Sequence, residues 1–371
     1  MVPMKSPTAS GLEGVVVAHT ALSHVDGERG TLVIRGYSIE DLVERGTFED
    51  GCGLLWNGEW PSAGEREALR AALAEARQQA FTLVSSLGEA LTLADGMEAL
   101  RAAVGQLSAV DQPADRFRLT GAIPVFAAAW ARARSGQPVV PPRSGLSHAA
   151  DYLQMLTGEL PEARRIAALD AYLCCVVDHG MNASTFVARV VASTGSDLVS
   201  AVVAAIGALK GPLHGGAPGP VLDMLDAIGQ PAHARAWLRA ELEAGRRVMG
   251  MGHRIYRVRD PRAAALERAM AVLERTEAQG ERLALARAVE REAERLLTER
   301  YPERSLRANV EFYTAIVLDA IGLPRTLFAP TFAASRVVGW CAHVDEQQRA
   351  GRLIRPASTY VGPAPPAAST S

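Results

Sequence analysis

Along most of the chain apolar residues recur every three or four positions, the spacing of one buried face on an α-helix. SAGEREALRAALAEARQQA opens with Ser62 and Glu65 spaced as a capping box and predicts an amphipathic helix. GMEALRAAVGQL, RFRLTGAIPVFAAAWARARSG, PEARRIAALDAYLCCVVDHG and DLVSAVVAAIGALKG predict four more, the third of them with Pro161 at its start and Gly180 beyond its end. Several are apolar nearly all round and must be covered by other helices, which implies a mainly α, multilayer architecture. The exception is VVVAHTALSHVDGERGTLVIRGYS, where β-branched runs flank Asp26-Gly27 and Arg29-Gly30 and predict a small N-terminal β-hairpin.

Between 216 and 322 the helices turn more polar, as in ARAWLRAELEAGRR and GERLALARAVEREAERLLTERY, and suit a smaller lobe with a wetted outer face. Apolar helix returns at TLFAPTFAASRVVGWCAH. The expected organisation is residues 1–215 as the first part of a large domain, 216–322 as a small domain, and 323–371 as the second part of the large domain. Residues 1–10 read as a loose leader, and the last eight or so as a disordered Pro-, Ala- and Ser-rich tail.

Composition narrows the class. The chain has 371 residues, 48% hydrophobic and 22% charged, values that argue against bulk disorder. A formal net charge of −2 gives no general pull toward nucleic acid or an anionic membrane. No apolar run approaches a membrane span and the N-terminus has no secretory pattern, so a cytoplasmic enzyme is expected. Cys52, Cys174, Cys175 and Cys341 show neither C-x-x-C nor metal-like spacing and read as reduced and structural.

The densest chemistry lies in VMGMGHRIYRVRDPR, Val248 to Arg262. Gly250 and Gly252 bracket Met251 and free the backbone for a turn that delivers His253. Arg254, Arg257, Arg259 and Arg262 follow, guanidinium forks suited to a carboxylate or phosphate, and Pro261 marks a helix start. In DHGMNASTF, His179 precedes residues that either cap a helix or meet a ligand. In GPLHGGA, His214 stands between glycines, which serve either a turn or a ligand. Glu311 in ANVEFYTAIVLDAIG reads two ways: a carboxylate whose pKa burial raises, fit for general acid or base work, or a helix N-terminal Glu on the dipole. Arg336, in an apolar helix, needs an anion; Arg355 alone says little. G-x-x-x-x-G-K-[ST], H-E-x-x-H and G-x-S-x-G are all missing from the sequence. The remaining set suits chemistry on a polyanionic substrate without a metal.

DHGMNASTF, GPLHGGA, GMGHRIYRVRDPR, NVEFY, FAASRVVGWCAH and RPASTYVG, in this order from about residue 11 to residue 362, resemble the citrate synthase family. The resemblance implies an almost all-α fold, a small domain closing over a cleft, and a homodimer. It implies condensation of acetyl-CoA with oxaloacetate and hydrolysis of citryl-CoA to citrate and CoA, the entry step of the tricarboxylic acid cycle, with no metal or redox cofactor. By the same resemblance His214 would bond the thioester oxygen, His253 would polarise the oxaloacetate carbonyl and Glu311 would be the base. His179, Arg262, Arg336 and Arg355 would clamp the dicarboxylate, Arg355 from the partner subunit, while Met249, Gly250, Met251 and Gly252 would line the CoA adenine. Two stretches depart from the family pattern: Glu311 replaces the usual aspartate, and Pro218-Gly219-Pro220 follows GPLHGGA in place of Asn-Glu. Two other readings share these residues, a 2-methylcitrate synthase using propionyl-CoA and a low-activity paralogue that binds CoA or a dicarboxylate.

Overall fold

The computed structural model describes residues 10–12, 14–215, 218–273 and 277–363. The parts of the expected leader and tail at 1–9 and 364–371, and residues 216 and 217 at the expected domain boundary, lie outside the described residues.

Near the N-terminus the expected hairpin is a three-stranded antiparallel sheet, with β1 (Ser23–Asp26), β2 (Thr31–Ile34) and β3 (Tyr37–Ser38) in that order. The extra strand follows from Arg35 and Gly36, which both take positive φ, 48° and 90°, and close a two-residue turn that pairs Ile34 with Tyr37. In the β1–β2 turn Asp26 Oδ1 accepts from the amides of Glu28 and Arg29 at 3.0 and 2.9 Å.

The regular elements in the rest of the described chain are helices: α1 (Ile39–Arg45), α2 (Phe48–Asn57), α3 (Ala63–Thr82), α4 (Gly96–Val104), α5 (Gln112–Arg134), α6 (His148–Thr157), α7 (Ala163–Val176), α8 (Ala183–Ala192), α9 (Leu198–Leu209), α10 (Pro218–Ile228), α11 (Ala234–Glu243), α12 (Pro261–Leu273), α13 (Glu277–Arg300), α14 (Val310–Ala320) and α15 (Phe328–Ala350), with short 3₁₀ turns between some of them. The Ser62–Glu65 capping box forms as the spacing requires. Pro161 falls two residues before α7, which Glu162 precedes, and Pro124 lies inside α5.

α15 runs through the interior, buried along most of its length, and packs against α2, α4, α5, α7, α8 and α9. Trp340, Tyr152, Tyr172 and Phe126 are among the largest side chains fully removed from water. Of the helices in the 216–322 span, α11 packs on α13, and α10 and α12 on α14, while α12 also packs on α7 and α1. The four cysteines are buried and unpaired. Among the described residues no helix is long and apolar enough to cross a membrane.

The sheet braces two of the turns singled out in the sequence. The Gly27 carbonyl accepts from the Arg257 amide at 2.8 Å, and a Cβ on Gly27 would meet the Ile255 carbonyl at 2.2 Å, so only glycine allows this approach. Ser23 Oγ accepts from the Gly180 amide at 3.0 Å. The hairpin thus buckles the His179 turn to the loop after His253.

Candidate active site

Three turns bring their histidines to one cavity of about 690 Å³, lined by His179, Asn182, His214, His253 and Arg254 among others. His179 leaves α7 just before Gly180, whose φ of 56° turns the chain back. Its Nε2 lies 3.1 Å from the Tyr256 hydroxyl, and the ring is nearly perpendicular to that of His253, 5.5 Å away. Burial, then the charges of Arg262 and Arg336, hold its pKa well below the ordinary histidine value.

His214 and His253 are each held in place by hydrogen bonding. The Ser184 amide donates to His214 Nε2 at 3.3 Å, and Ser184 Oγ lies 2.8 Å from the same nitrogen. Trp340 Nε1 donates to that hydroxyl at 3.1 Å, and the hydroxyl donates to Asn182 Oδ1 at 2.9 Å. At His253, Nδ1 accepts from the amides of Ile255 and Tyr256 at 3.0 and 3.1 Å, which leaves Nε2–H as the donor of the neutral ring. Burial lowers both to about 4, with Arg336 adding to the effect at His214 and Arg262 at His253. Both are therefore neutral N–H donors at neutral pH.

Glu311 sits in the first turn of α14, capped by Asn309, whose Oδ1 accepts the Glu311 amide at 3.0 Å. Both sequence readings apply to it, and burial prevails over the helix terminus. Although the residue keeps partial access to water, burial raises its pKa to about 7, against the opposing charges of Arg262 and Arg336. The GMGH turn and the segment before α14 are stitched together. Met251 pairs with Ala308, the Gly252 amide donates to the Arg307 carbonyl at 2.7 Å, and the Asn309 amide to the Gly250 carbonyl at 3.0 Å. His253 and Glu311 thus leave the same short ladder.

Arg262 is the second residue of α12 and is buried against Asp260, with Nε–Oδ1 at 3.0 Å and Nη2–Oδ2 at 2.7 Å. Burial disfavours its charge, but Asp260 outweighs this and raises its pKa above the ordinary arginine value. Arg336 is different. Its Nε donates to the Val176 carbonyl at 2.6 Å and its guanidinium lies over Phe332, but the buried Nη2 has no partner. Burial lowers its pKa to about 10. An orphaned guanidinium nitrogen in the interior is a place where an anion would be bound.

Arg355 does not line the histidine cavity. It is exposed after α15 and lines an adjoining cavity of about 590 Å³ that shares Leu12, Val15, Val17 and Phe186 with it. Met249 is half-buried, and Met251 is buried beside a cavity of about 150 Å³ with Arg246, Arg247, Tyr301 and Arg304. Pattern reading missed Asp178, Ser184, Tyr256 and Asp260, each of which fixes a site residue. Asp260 had a visible signal, since a carboxylate two residues before an arginine can chelate it. Among the described residues no group of three or more His, Cys, Asp or Glu side chains is arranged to hold a metal ion.

A family model described as citrate synthase, C-terminal domain, matches residues 11–357. The chain belongs to the citrate synthase family. It is 40% identical over 376 residues to a citrate synthase of Haloferax volcanii, covering 97% of each chain. It is 38% identical over 363 residues to a 2-methylcitrate synthase of Mycobacterium tuberculosis, covering 95% of this chain and 90% of that one. Its fold matches the citrate synthase of Thermoplasma acidophilum, solved as a ternary complex with carboxymethyl coenzyme A and oxaloacetate, with a TM-score of 0.86, 29% identity and 96% of each chain covered. These relatives place the chain in a family of acyl-group transferases.

Proposed function

We propose that the protein condenses acetyl-CoA with oxaloacetate and hydrolyses the citryl-CoA formed to citrate and CoA. One observation carries the reading: two neutral imidazoles line one cavity, and the turn that carries His253 is laddered to the start of the helix that carries Glu311, a carboxylate with a pKa near 7. Deprotonating a methyl group α to a thioester requires a base and a donor for the developing enolate oxygen. The Glu311 carboxylate takes the α-proton, and the neutral His214 ring bonds the thioester oxygen. The enol carbon then attacks the oxaloacetate ketone, whose oxygen His253 Nε2–H polarises. Water cleaves the citryl thioester and releases CoA.

His179, Arg262 and the orphaned Arg336 Nη2 are the groups for the dicarboxylate, and Met249 to Gly252 for the CoA adenine. A homodimer in the cytoplasm would complete the site if the partner subunit's Arg355 entered it. The small domain 216–322 would close over the cleft and exclude water before condensation. Coenzyme A enters as substrate, and the scheme uses no metal or redox cofactor and no nucleic-acid or membrane partner.

The test is release of free CoA from acetyl-CoA plus oxaloacetate, repeated with propionyl-CoA and after prolonged chelation. Turnover with acetyl-CoA, preferred over propionyl-CoA and insensitive to chelator, is expected. Preference for propionyl-CoA gives the 2-methylcitrate synthase that the mycobacterial relative brings forward. Oxaloacetate binding without turnover gives a dicarboxylate-binding protein.

A further inference from the structure

Behind the His179 turn lies a buried chain of charged and polar groups that the chemistry above does not use. Asp178, fully buried, accepts from Gly180 N–H at 3.3 Å and from the Ser23 hydroxyl through Oδ2. His343 of α15, also fully buried, faces the same carboxylate, with Nε2 3.2 Å from Oδ1 and 3.3 Å from Oδ2. On the other side of the ring, Arg189 of α8 brings Nη1 to 2.9 Å from His343 Nδ1. A guanidinium only donates, so Nδ1 is an acceptor and the His343 proton sits on Nε2, pointing at Asp178.

Arg189 then continues the chain. Its Nη1 pairs with Glu346 at 2.7 Å, and its Nε donates to Gln347 Oε1 at 3.1 Å. Gln347 Nε2 donates to the Arg352 carbonyl at 3.0 Å, and the Ile354 amide donates to Ser193 Oγ at 3.0 Å. The backbone that leads to Arg355 is therefore tied through four side chains to the turn that carries His179. The charge of Asp178 also reaches Arg336, where it opposes the effect of burial.

We propose that His343 is a positioning residue for dicarboxylate binding: its fixed Nε2–H holds the Asp178 carboxylate beneath the His179–Gly180 turn, and through Arg189 and Gln347 it sets that turn in register with the segment carrying Arg355. The inference rests on the proposed role of that turn in holding oxaloacetate. Removing the ring frees Asp178 to rotate, leaves Arg189 with an unused buried donor, and loosens the His179 turn without touching His214, His253 or Glu311. The effect therefore belongs to oxaloacetate and not to the thioester.

The experiment compares His343→Ala, His343→Phe and His343→Gln by calorimetric titration with oxaloacetate alone, by KM for each substrate, and by thermal melting. Glutamine offers an N–H toward Asp178 and a carbonyl toward Arg189 and serves as the conservative rescue. The Ala and Phe variants are expected to bind oxaloacetate weaker by on the order of 10- to 100-fold, with KM for acetyl-CoA within about 2-fold of the parent and most of the loss recovered in the Gln variant. Unchanged oxaloacetate affinity in folded Ala and Phe variants overturns the proposal. Equal loss for both substrates with no rescue by Gln also overturns it, as a merely structural role. If Ala and Phe do not fold, the Gln variant against Asp178→Asn decides. The proposal requires the Asn variant to lose oxaloacetate affinity selectively while the Gln variant keeps it, and falls otherwise. Failure of the parent protein to bind oxaloacetate at all would instead fall on the proposed function.

Discussion

Asp260 grips Arg262 with both carboxylate oxygens, at 3.0 and 2.7 Å, and its Oδ2 also accepts the Val310 amide at 3.2 Å, one residue before Glu311. The Asp260 amide donates to the Ala308 carbonyl at 3.2 Å. One buried carboxylate therefore fixes an arginine of the proposed clamp and the start of the helix that carries the proposed base.

Replacing Asp260 with alanine leaves Arg262 buried and unpaired, a change that costs about 3–5 kcal/mol. Chemical denaturation should register this loss, and CoA release should fall with it. Asp260→Asn retains the shape and loses the charge, so it should be less destabilised but still slow.

For Glu311 the chemistry requires the carboxylate. With its pKa raised to about 7, kcat/KM should rise as pH increases through 7. His214 and His253, at about 4, add no acid limb near neutrality. Glu311→Gln should abolish condensation. Glu311→Asp withdraws the carboxylate by roughly 1 Å while Asn309 and Asp260 fix the helix start, and should lower the rate by about 10²-fold. A rate above the parent would mean that the cleft is not built around the longer side chain.

Stability should fall in acid. His214 and His253 have folded pKa values of about 4 against 6.5 in the unfolded chain, so the unfolded state binds more protons as pH drops through that window. Each contributes up to about 3 kcal/mol at pH 7, a ceiling reduced by the partial exposure of both rings. Glu311 acts in the opposite sense, its folded value of about 7 lying above 4.5, and is outnumbered. Melting between pH 7 and pH 4.5 should show a falling Tm, with a shallower slope in His253→Gln.

Gly250 holds φ at 74°, and a Cβ there would lie 2.9 Å from the Phe312 ring and Cβ. Gly250→Ala combines a left-handed backbone with that clash and should destabilise by about 1–3 kcal/mol. Because the strain falls on the ladder between Met251 and Ala308, CoA release should fall more than in Gly245→Ala, where φ is 73° but the added Cβ meets open space.

Elements whose causes are local are legible in the sequence. Apolar spacing gave the long helices, Ser62 and Glu65 their capping box, and Pro261 the first residue of α12, since caps and periodicity act within one or two turns. The three histidines on glycine-flanked turns and the carboxylate in an apolar setting were visible because each is odd within its own neighbourhood. Relations across the chain arise only in the packed molecule. The third strand needed positive φ at Arg35, which an Arg-Gly pair does not advertise. The tautomer of His253 depends on the amides of Ile255 and Tyr256. The link from His343 to Asp178 spans 165 positions. Hydrogen bonds of that separation leave no periodic trace, because the groups meet only after the helices between them have packed.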